Sequence, residues 1–284
     1  VSDRLAVLPQ YLLPKQALTR LAGRGARAQA GGLTTWVIRR FVERYRVDMA
    51  EAAEPDPAAY ASFNDFFTRA LKPGARPLDP AAGWLCPVDG ALSQCGPVTG
   101  DQIFQAKGHH YTSTALVGGD AALAERFRDG HFATLYLSPR DYHRIHMPRA
   151  GTLRRMLHVP GDLFSVNPTT ARGVPGLFAR NERVVCLFDD DDGRPFIMVL
   201  VGATIVGSMA TVWHGVVNPP RPGTVRDWHY GPDQVQPAVR LERGAEMGRF
   251  LLGSTVVMLM PAGPLRFPSR WQPGAPLRLG EAMA

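Results

Sequence analysis

The chain has 284 residues, 45% hydrophobic and 20% charged, enough for a substantial core and inconsistent with disorder or a collagen-like repeat. Its net charge of +7 is unevenly held: residues 1–49 carry nine basic and three acidic groups, residues 50–253 carry 20 and 21, and residues 254–284 carry three and one. The body is therefore nearly neutral and the excess lies at the N-terminal end, which disfavours nucleic acid as a partner, since such proteins more often spread basic groups over a folded face.

The first seventy residues read as helices. Pro9 and Pro14 punctuate the start, and Pro14 is placed to open a short helix carrying Leu18 and Leu21. Leu33–Met49 is the clearest amphipathic stretch, with Trp36, Val37, Phe41 and Tyr45 on one face and Arg39, Arg40, Glu43 and Arg46 elsewhere. Such a helix either packs on the core with a solvated basic face or lies at a membrane interface, with aromatic rings among headgroups and arginines meeting anionic lipid. At an anionic surface each basic residue is worth about 1 kcal/mol, so the six net charges here would matter. A short helix follows from Ser62, which forms a capping-box-like pair with Asp65, and carries Phe63, Phe66 and Phe67 before Pro73-Gly74.

From Trp84 onward the pattern turns to strands: Leu85–Gln94, His131–Leu137, Thr152–Val159, Val184–Phe188, Phe196–Val201, Thr204–Val212 and Thr255–Met260. One helix is expected around Thr114–Phe127, ending before Gly130. The acidic Asp189–Gly193 run reads as a turn between two strands, with Gly193 taking a backbone position other residues resist. The uncharged stretch Phe196–Trp213 has eighteen residues, borderline for a membrane span, but Gly202, Gly207 and its β-branched residues favour buried strands with a bend. Helices first and strands after predict an α+β fold, with a helical, basic region over 1–75 and a β-rich core over 76–284.

Several chemical readings are weak. Cys86, Cys95 and Cys186 are odd in number and lack C-x-x-C spacing, which suits a reducing compartment rather than a disulfide scaffold. The first residues lack the continuous apolar core of a secretory signal. Gly23-Arg-Gly25-Ala-Arg-Ala28 imitates a dinucleotide fingerprint, yet no strand precedes it. His109-His110 and His143-x-x-His146 lack a third ligand at usual zinc spacing, so no metal is expected.

Three local features are more informative together. Pro87-Val88-Asp89-Gly90 places an acid in a turn. Ser138–Pro148 (SPRDYHRIHMP) packs functional side chains into a loop after a strand, and Leu252-Gly253-Ser254-Thr255 leads into the apolar strand that follows. Each is commonplace alone. A serine after glycine, however, can turn its hydroxyl on the preceding carbonyl, which a residue without a Cβ leaves open to attack. That weak nucleophile needs a base, and the base an acid; one of the two histidines and Asp89 are available, giving the chain order Asp, His, Ser.

At this point the sequence resembles the bacterial-type phosphatidylserine decarboxylase proenzymes. The resemblance runs through Phe63-Asn-Asp-Phe-Phe-Thr-Arg69, the Asp89 turn, Gln105-Ala-Lys-Gly108, Tyr136 to Pro148 and Val159-Pro-Gly-Asp-Leu-Phe-Ser-Val-Asn167. It continues through Leu177-Phe-Ala-Arg-Asn-Glu-Arg183, Val201-Gly-Ala-Thr-Ile-Val-Gly207, Glu246-Met-Gly-Arg-Phe250 and Leu252-Gly-Ser-Thr255. The resemblance implies self-cleavage between Gly253 and Ser254 into a β chain of residues 1–253 and an α chain of 254–284. Ser254 would attack the Gly253 carbonyl, with His146 as base and Asp89 orienting it, and would end as an N-terminal pyruvoyl group. That group would form a Schiff base with the amine of phosphatidylserine and accept the electrons left by departing CO2, giving phosphatidylethanolamine with no pyridoxal cofactor. His143 is expected to donate a proton or orient substrate, Ser165 to hold the headgroup, and Leu163 and Phe164 to contact acyl chains or pack in the core. Trp36, Arg39, Arg40, Phe41 and Arg44 are the expected membrane contacts of a peripheral protein on the cytoplasmic face of the inner membrane, on an anionic bilayer; a homodimer is a further candidate assembly. Competing readings are a pyruvoyl decarboxylase of a soluble amino acid and a membrane-surface binding module without chemistry.

Overall fold

The least interrupted apolar runs, Val184–Phe188, Phe196–Val201 and Thr255–Met260, occupy the middle of a sheet in the computed structural model of the chain, which describes residues 3–204, 208–221, 223–253 and 255–284. The helices are α1 (Asp3–Leu12), α2 (Lys15–Arg27), α3 (Gly32–Tyr45), α4 (Phe63–Phe67), α5 (Ser113–Leu116), α6 (Ala121–Glu125), α7 (Pro168–Gly173) and α8 (Leu177–Arg180). The strands are β1 (Gly90–Pro97), β2 (Gln102–Ala106), β3 (His109–Thr112), β4 (His131–Tyr136), β5 (Arg144–His146), β6 (Gly151–Val159), β7 (Arg183–Asp189) and β8 (Pro195–Val201). They continue with β9 (Met209–Thr211), β10 (Gly215–Val216), β11 (Arg226–His229), β12 (Val239–Leu241), β13 (Glu246–Phe250), β14 (Thr255–Met260) and β15 (Pro276–Leu277). The α+β class with helices first is the one read from the sequence.

An antiparallel sheet runs β11-β6-β7-β8-β14-β4-β1-β15, with β12 also on β6. Alternate residues of its central strands feed separate cores, as the two-residue period of a strand requires. Val257, Leu259, Val199 and Val185 face a core closed by Leu116, Phe127, Ala171 and Phe178 of the helical side, and by Val7 of α1. Val256, Met258, Leu200 and Cys186 face a second core closed by Ile145, Met209 and Phe250 of a smaller sheet, β10-β9-β13-β5, and by Trp271 and Met283. With both faces covered, β7, β8 and β14 lose the polar alternation of a half-exposed strand. That is why the uncharged stretch Phe196–Trp213 came near the length of a membrane span while its residues favoured strands; no helix among the described residues is long and apolar enough to cross one.

Local signals account for most boundaries. Ser62 Oγ accepts the Asp65 N–H at 3.2 Å and donates to Asp65 Oδ2 at 2.8 Å, starting α4 where the capping pair was read. Asp189–Gly193 does join β7 to β8, with Gly193 at φ 73°. Four expectations shift. Pro9 lies inside α1 rather than ending a segment. The helix expected over Thr114–Phe127 is two, because Gly118 and Gly119 take φ 82° and 94° between α5 and α6. The first strand begins at Gly90, not Leu85: residues 85 and 86 bond instead to Pro148 and Glu281. Gly90 then enters the sheet so closely that a Cβ would stand 2.2 Å from the Tyr136 carbonyl oxygen. Of Thr204–Val212 only Met209–Thr211 is strand, and Ile205–Gly207 lie outside the described residues.

Candidate active site

Antiparallel register decides which loops meet. Thr255, the first residue of β14, pairs with Tyr136 at the end of β4 and with Val201 at the end of β8. The loop after β4, the segment after β8 and Gly253 therefore converge at one edge of the central strands. Pairing of β13 with β5 brings Glu246 opposite His146, and the Phe250 N–H donates to the His143 carbonyl at 3.0 Å. Two histidines three residues apart are thus drawn toward the chain just before Gly253.

His143 is fully buried, its ring 4.1 Å from that of Phe67. Its Nδ1 lies 2.7 Å from the Asp141 carbonyl oxygen, which can only accept, so Nδ1 carries the proton and Nε2 presents a lone pair. Nε2 has no hydrogen-bond partner among the described residues, and a Cβ built on Gly253 would sit 3.2 Å from it. Burial holds this imidazole at a pKa of about 3, so at neutral pH it is an uncharged acceptor aimed at residue 253. The loop that aims it is closed by Asp141, whose carboxylate accepts the backbone N–H and hydroxyl of Ser138, both at 2.7 Å. Burial raises the Asp141 pKa.

His146 has the same tautomer by the same reasoning: Nδ1–H donates to the Gly244 carbonyl at 2.8 Å, and Nε2 accepts the Tyr142 hydroxyl at 3.1 Å. Burial lowers its pKa, partly offset by the Gly244 carbonyl and the charges of Glu246 and Asp89. The ring is therefore oriented by Gly244 and Tyr142, and among the described residues no hydrogen bond joins it to Asp89. Asp89 is held by Arg76: Nε donates at 3.0 Å to both carboxylate oxygens and Nη2 at 2.6 Å to Oδ2. Arg76 Nη2 also reaches Glu51 at 2.6 Å, and Leu279 N–H donates to Asp89 Oδ1 at 2.9 Å. Nearness to His146 comes through the backbone, where the His146 N–H donates to the Pro87 carbonyl at 2.9 Å. Ser254 lies outside the described residues. Arg76, Tyr142 and Phe67 were not singled out from the sequence; Tyr142 and Phe67 fall in motifs quoted above, whereas nothing local marked Arg76.

An apolar cavity of about 230 Å³ opens at Gly253, lined by Phe41, Tyr45, Phe67, Tyr136, Ser165 and Leu252 among others. Ser165, the expected headgroup contact, is in its wall, with its backbone N–H bonded to Gln10 Oε1 at 2.9 Å. Leu163 and Phe164 are not: both are buried, and Phe164 packs edge-on against Tyr11 under the Lys15 ammonium, 3.6 Å from the ring centre. Phe41 turns inward against Phe63 and Phe66, whereas Trp36 is 58% exposed and Arg39, Arg40 and Arg44 lie on the surface. The cavity is thus roofed by α3, whose outer side is apolar and basic. Of sixteen exposed large hydrophobic residues among those described, eleven lie between Leu5 and Tyr45. That concentration exceeds ordinary scatter.

The orphaned Nε2 of buried His143 beside Gly253, the neighbouring cavity and half-buried His146 would fit a small electrophilic group following Gly253. Comparison with known proteins places the chain in a family. The family profile described as Phosphatidylserine decarboxylase matches residues 63–284, and a second, described as PSD, matches residues 5–46. A phosphatidylserine decarboxylase proenzyme of Delftia acidovorans is 71% identical over 285 residues, covering 100% of this chain and 98% of that protein. The proteins of that name from Albidiferax ferrireducens and Azoarcus sp. are 73% and 71% identical, covering 99% and 100% of this chain and 97% and 96% of their own length.

Proposed function

The chain belongs to the phosphatidylserine decarboxylase family, and from that premise we propose that it is a self-processing enzyme that converts phosphatidylserine to phosphatidylethanolamine and CO2 at a membrane surface, with a pyruvoyl group made from Ser254. The observation that carries this reading is the His143 Nε2 lone pair, buried and unpartnered among the described residues, beside Gly253.

In the first reaction the Ser254 hydroxyl adds to the Gly253 carbonyl and gives up its proton to a histidine, with His146 the assigned base. The peptide C–N bond breaks as an ester forms. Loss of the Ser254 α-proton then expels the Gly253 carboxylate, and water converts the resulting dehydroalanine to a ketone with release of ammonia. Asp89 supports the charge on a protonated His146 through space rather than by a direct bond, while Arg76 fixes the carboxylate. In the second reaction the pyruvoyl carbonyl supplies an electrophile for the substrate amine and a sink for the electron pair left by CO2. His143, held rigidly by Asp141 and Phe67, is the group assigned either to orient the substrate or to take a proton from the incoming substrate ammonium on Nε2 and return it to the substrate carbon, and Ser165 is assigned to the headgroup. Residues 1–75 are assigned to peripheral membrane contact, supported by the exposed leucines of α1 and α2, Trp36 and the arginines of α3. Residues 76–284 are assigned to catalysis. This apolar, basic N-terminal surface disfavours a soluble amino acid as substrate.

Intact-mass spectrometry of the purified protein tests the reading. Two fragments split at 253/254, the smaller carrying a borohydride-reducible ketone, are expected. Ser254→Ala, His146→Ala and Asp89→Ala should stay uncut, whereas His143→Ala should cut yet fail to release CO2 from phosphatidylserine. A single unmodified chain from the parent protein, or full turnover by His143→Ala, overturns the corresponding assignment.

A further inference from the structure

Helix α2 carries Arg20, Arg24 and Arg27 at spacings of four and three, so the three guanidinium groups share one stripe. That stripe forms one wall of a groove of about 390 Å³, whose opposite wall is made by Ser208, Pro219 and Arg221. Among the described residues no carboxylate lines the groove. Arg221 is tied to buried Glu182 at 2.9 Å, and Glu182 is in turn shared with His158 at 2.8 Å. The three α2 arginines have no carboxylate partner among the described residues; Arg20 makes only a long bond, 3.4 Å, to the Gln16 carbonyl. The charge of Arg221 is met by Glu182, but the three α2 guanidinium groups on the facing wall repel one another, and an anion placed between them removes that cost. No residue of this groove lines the cavity at Gly253. On the flank of the same helix Leu21 is 68% exposed and Leu18 is also exposed, continuous with exposed Leu12 and Leu13.

We propose that the α2 groove binds the phosphodiester of an anionic glycerophospholipid that is not the substrate, with the phosphate among Arg20, Arg24 and Arg27 and the acyl chains over the neighbouring leucines. Planar guanidinium forks match phosphate oxygens, and the apolar flank distinguishes a lipid from a free anion. The inference rests on the membrane-surface part of the reading above and adds a specific lipid seat to it. It is independent of which histidine does which chemistry.

Binding of a short-chain phosphatidylglycerol, kept below its micelle concentration, is measured by calorimetry beside inorganic phosphate. Phosphatidylglycerol has no amine and so cannot react as substrate. Saturable one-to-one binding is expected, weakened about a hundredfold by Arg20→Gln/Arg24→Gln/Arg27→Gln, on the scale of a few-fold per arginine. Arg24→Gln alone, should the triple variant fold poorly, should lose several-fold. Arg39→Gln/Arg40→Gln/Arg44→Gln, charge-matched on α3, should retain this binding. Turnover of soluble short-chain phosphatidylserine should be unchanged in the α2 variants, so loss of turnover in the parent protein would fault the catalytic reading and leave this one standing. Equal affinity for inorganic phosphate makes the groove a free-phosphate site and overturns the lipid assignment. Loss of binding in the α3 variant to the same extent, or none in the α2 variants, overturns the site altogether.

Discussion

His143 should make the fold acid-labile by an amount that can be worked out. Its folded pKa is about 3 against 6.5 for an unperturbed histidine, because burial excludes the charged ring. Below pH about 6.5 the unfolded chain therefore binds a proton that the native chain refuses, and stability falls as pH drops until the folded pKa is reached. Integrating that difference from about pH 7 to about pH 4 gives a loss of about 3 kcal/mol from this one residue. The comparison is between Ser254→Ala and Ser254→Ala/His143→Gln, so that both proteins keep the same covalent state. Urea denaturation at several pH values across that range gives both stabilities. Acidic groups common to the two proteins cancel, as does His146, whose shift has the same sign. The His143→Gln protein should start somewhat less stable at neutral pH and lose about 3 kcal/mol less on acidification. Parallel curves would refute the argument, because they would mean that the ring takes up its proton in the folded state and is not the neutral acceptor that its burial implies.

Two further substitutions probe the geometry of the site. Gly253→Ala puts a methyl group 3.2 Å from His143 Nε2, against a ring pinned by Phe67 and Asp141, so self-cleavage should slow about a hundredfold while stability changes little; cleavage at the parental rate in a timed mass measurement would show that this contact does not set the reacting geometry. Arg76→Met strips the buried Asp89 carboxylate of its guanidinium and should cost about 3–5 kcal/mol by denaturation and slow processing, with Arg76→Lys intermediate; unchanged stability would mean that Asp89 is better solvated than its position implies.

Central strands were legible in the sequence because β7, β8 and β14 are β-branched and apolar on both faces, and the caps and turns at Ser62 and Gly193 carry their own local chemistry. The seat of the histidines was half legible. The Ser138–Pro148 stretch advertised its functional side chains, but their approach to Gly253 depends on β4 running antiparallel to β14, a register no local pattern specifies. The partners of Asp89 were not legible, since Leu279 comes from the far end of the chain and Arg76, which also binds Glu51, sits in an unremarkable Pro/Gly turn. Helix α3 shows a similar limit. Its apolar residues were plain, yet only tertiary packing separates Ile38 and Phe41, which turn inward, from Trp36, which does not.

β14 pairs along its length with β4 and through five residues with β8, and every one of its residues is buried. A cut just before it would hand the middle strand of the sheet to a separate peptide of 31 residues. Such a peptide could not be supplied afterwards to a ready-made partner, because without it β4 and β8 have no common neighbour and both cores lie open. Folding must precede cutting. The severed ends could then drift apart by only the slack of a loop, so the two products would remain one body whose history of cleavage leaves almost no trace in its shape.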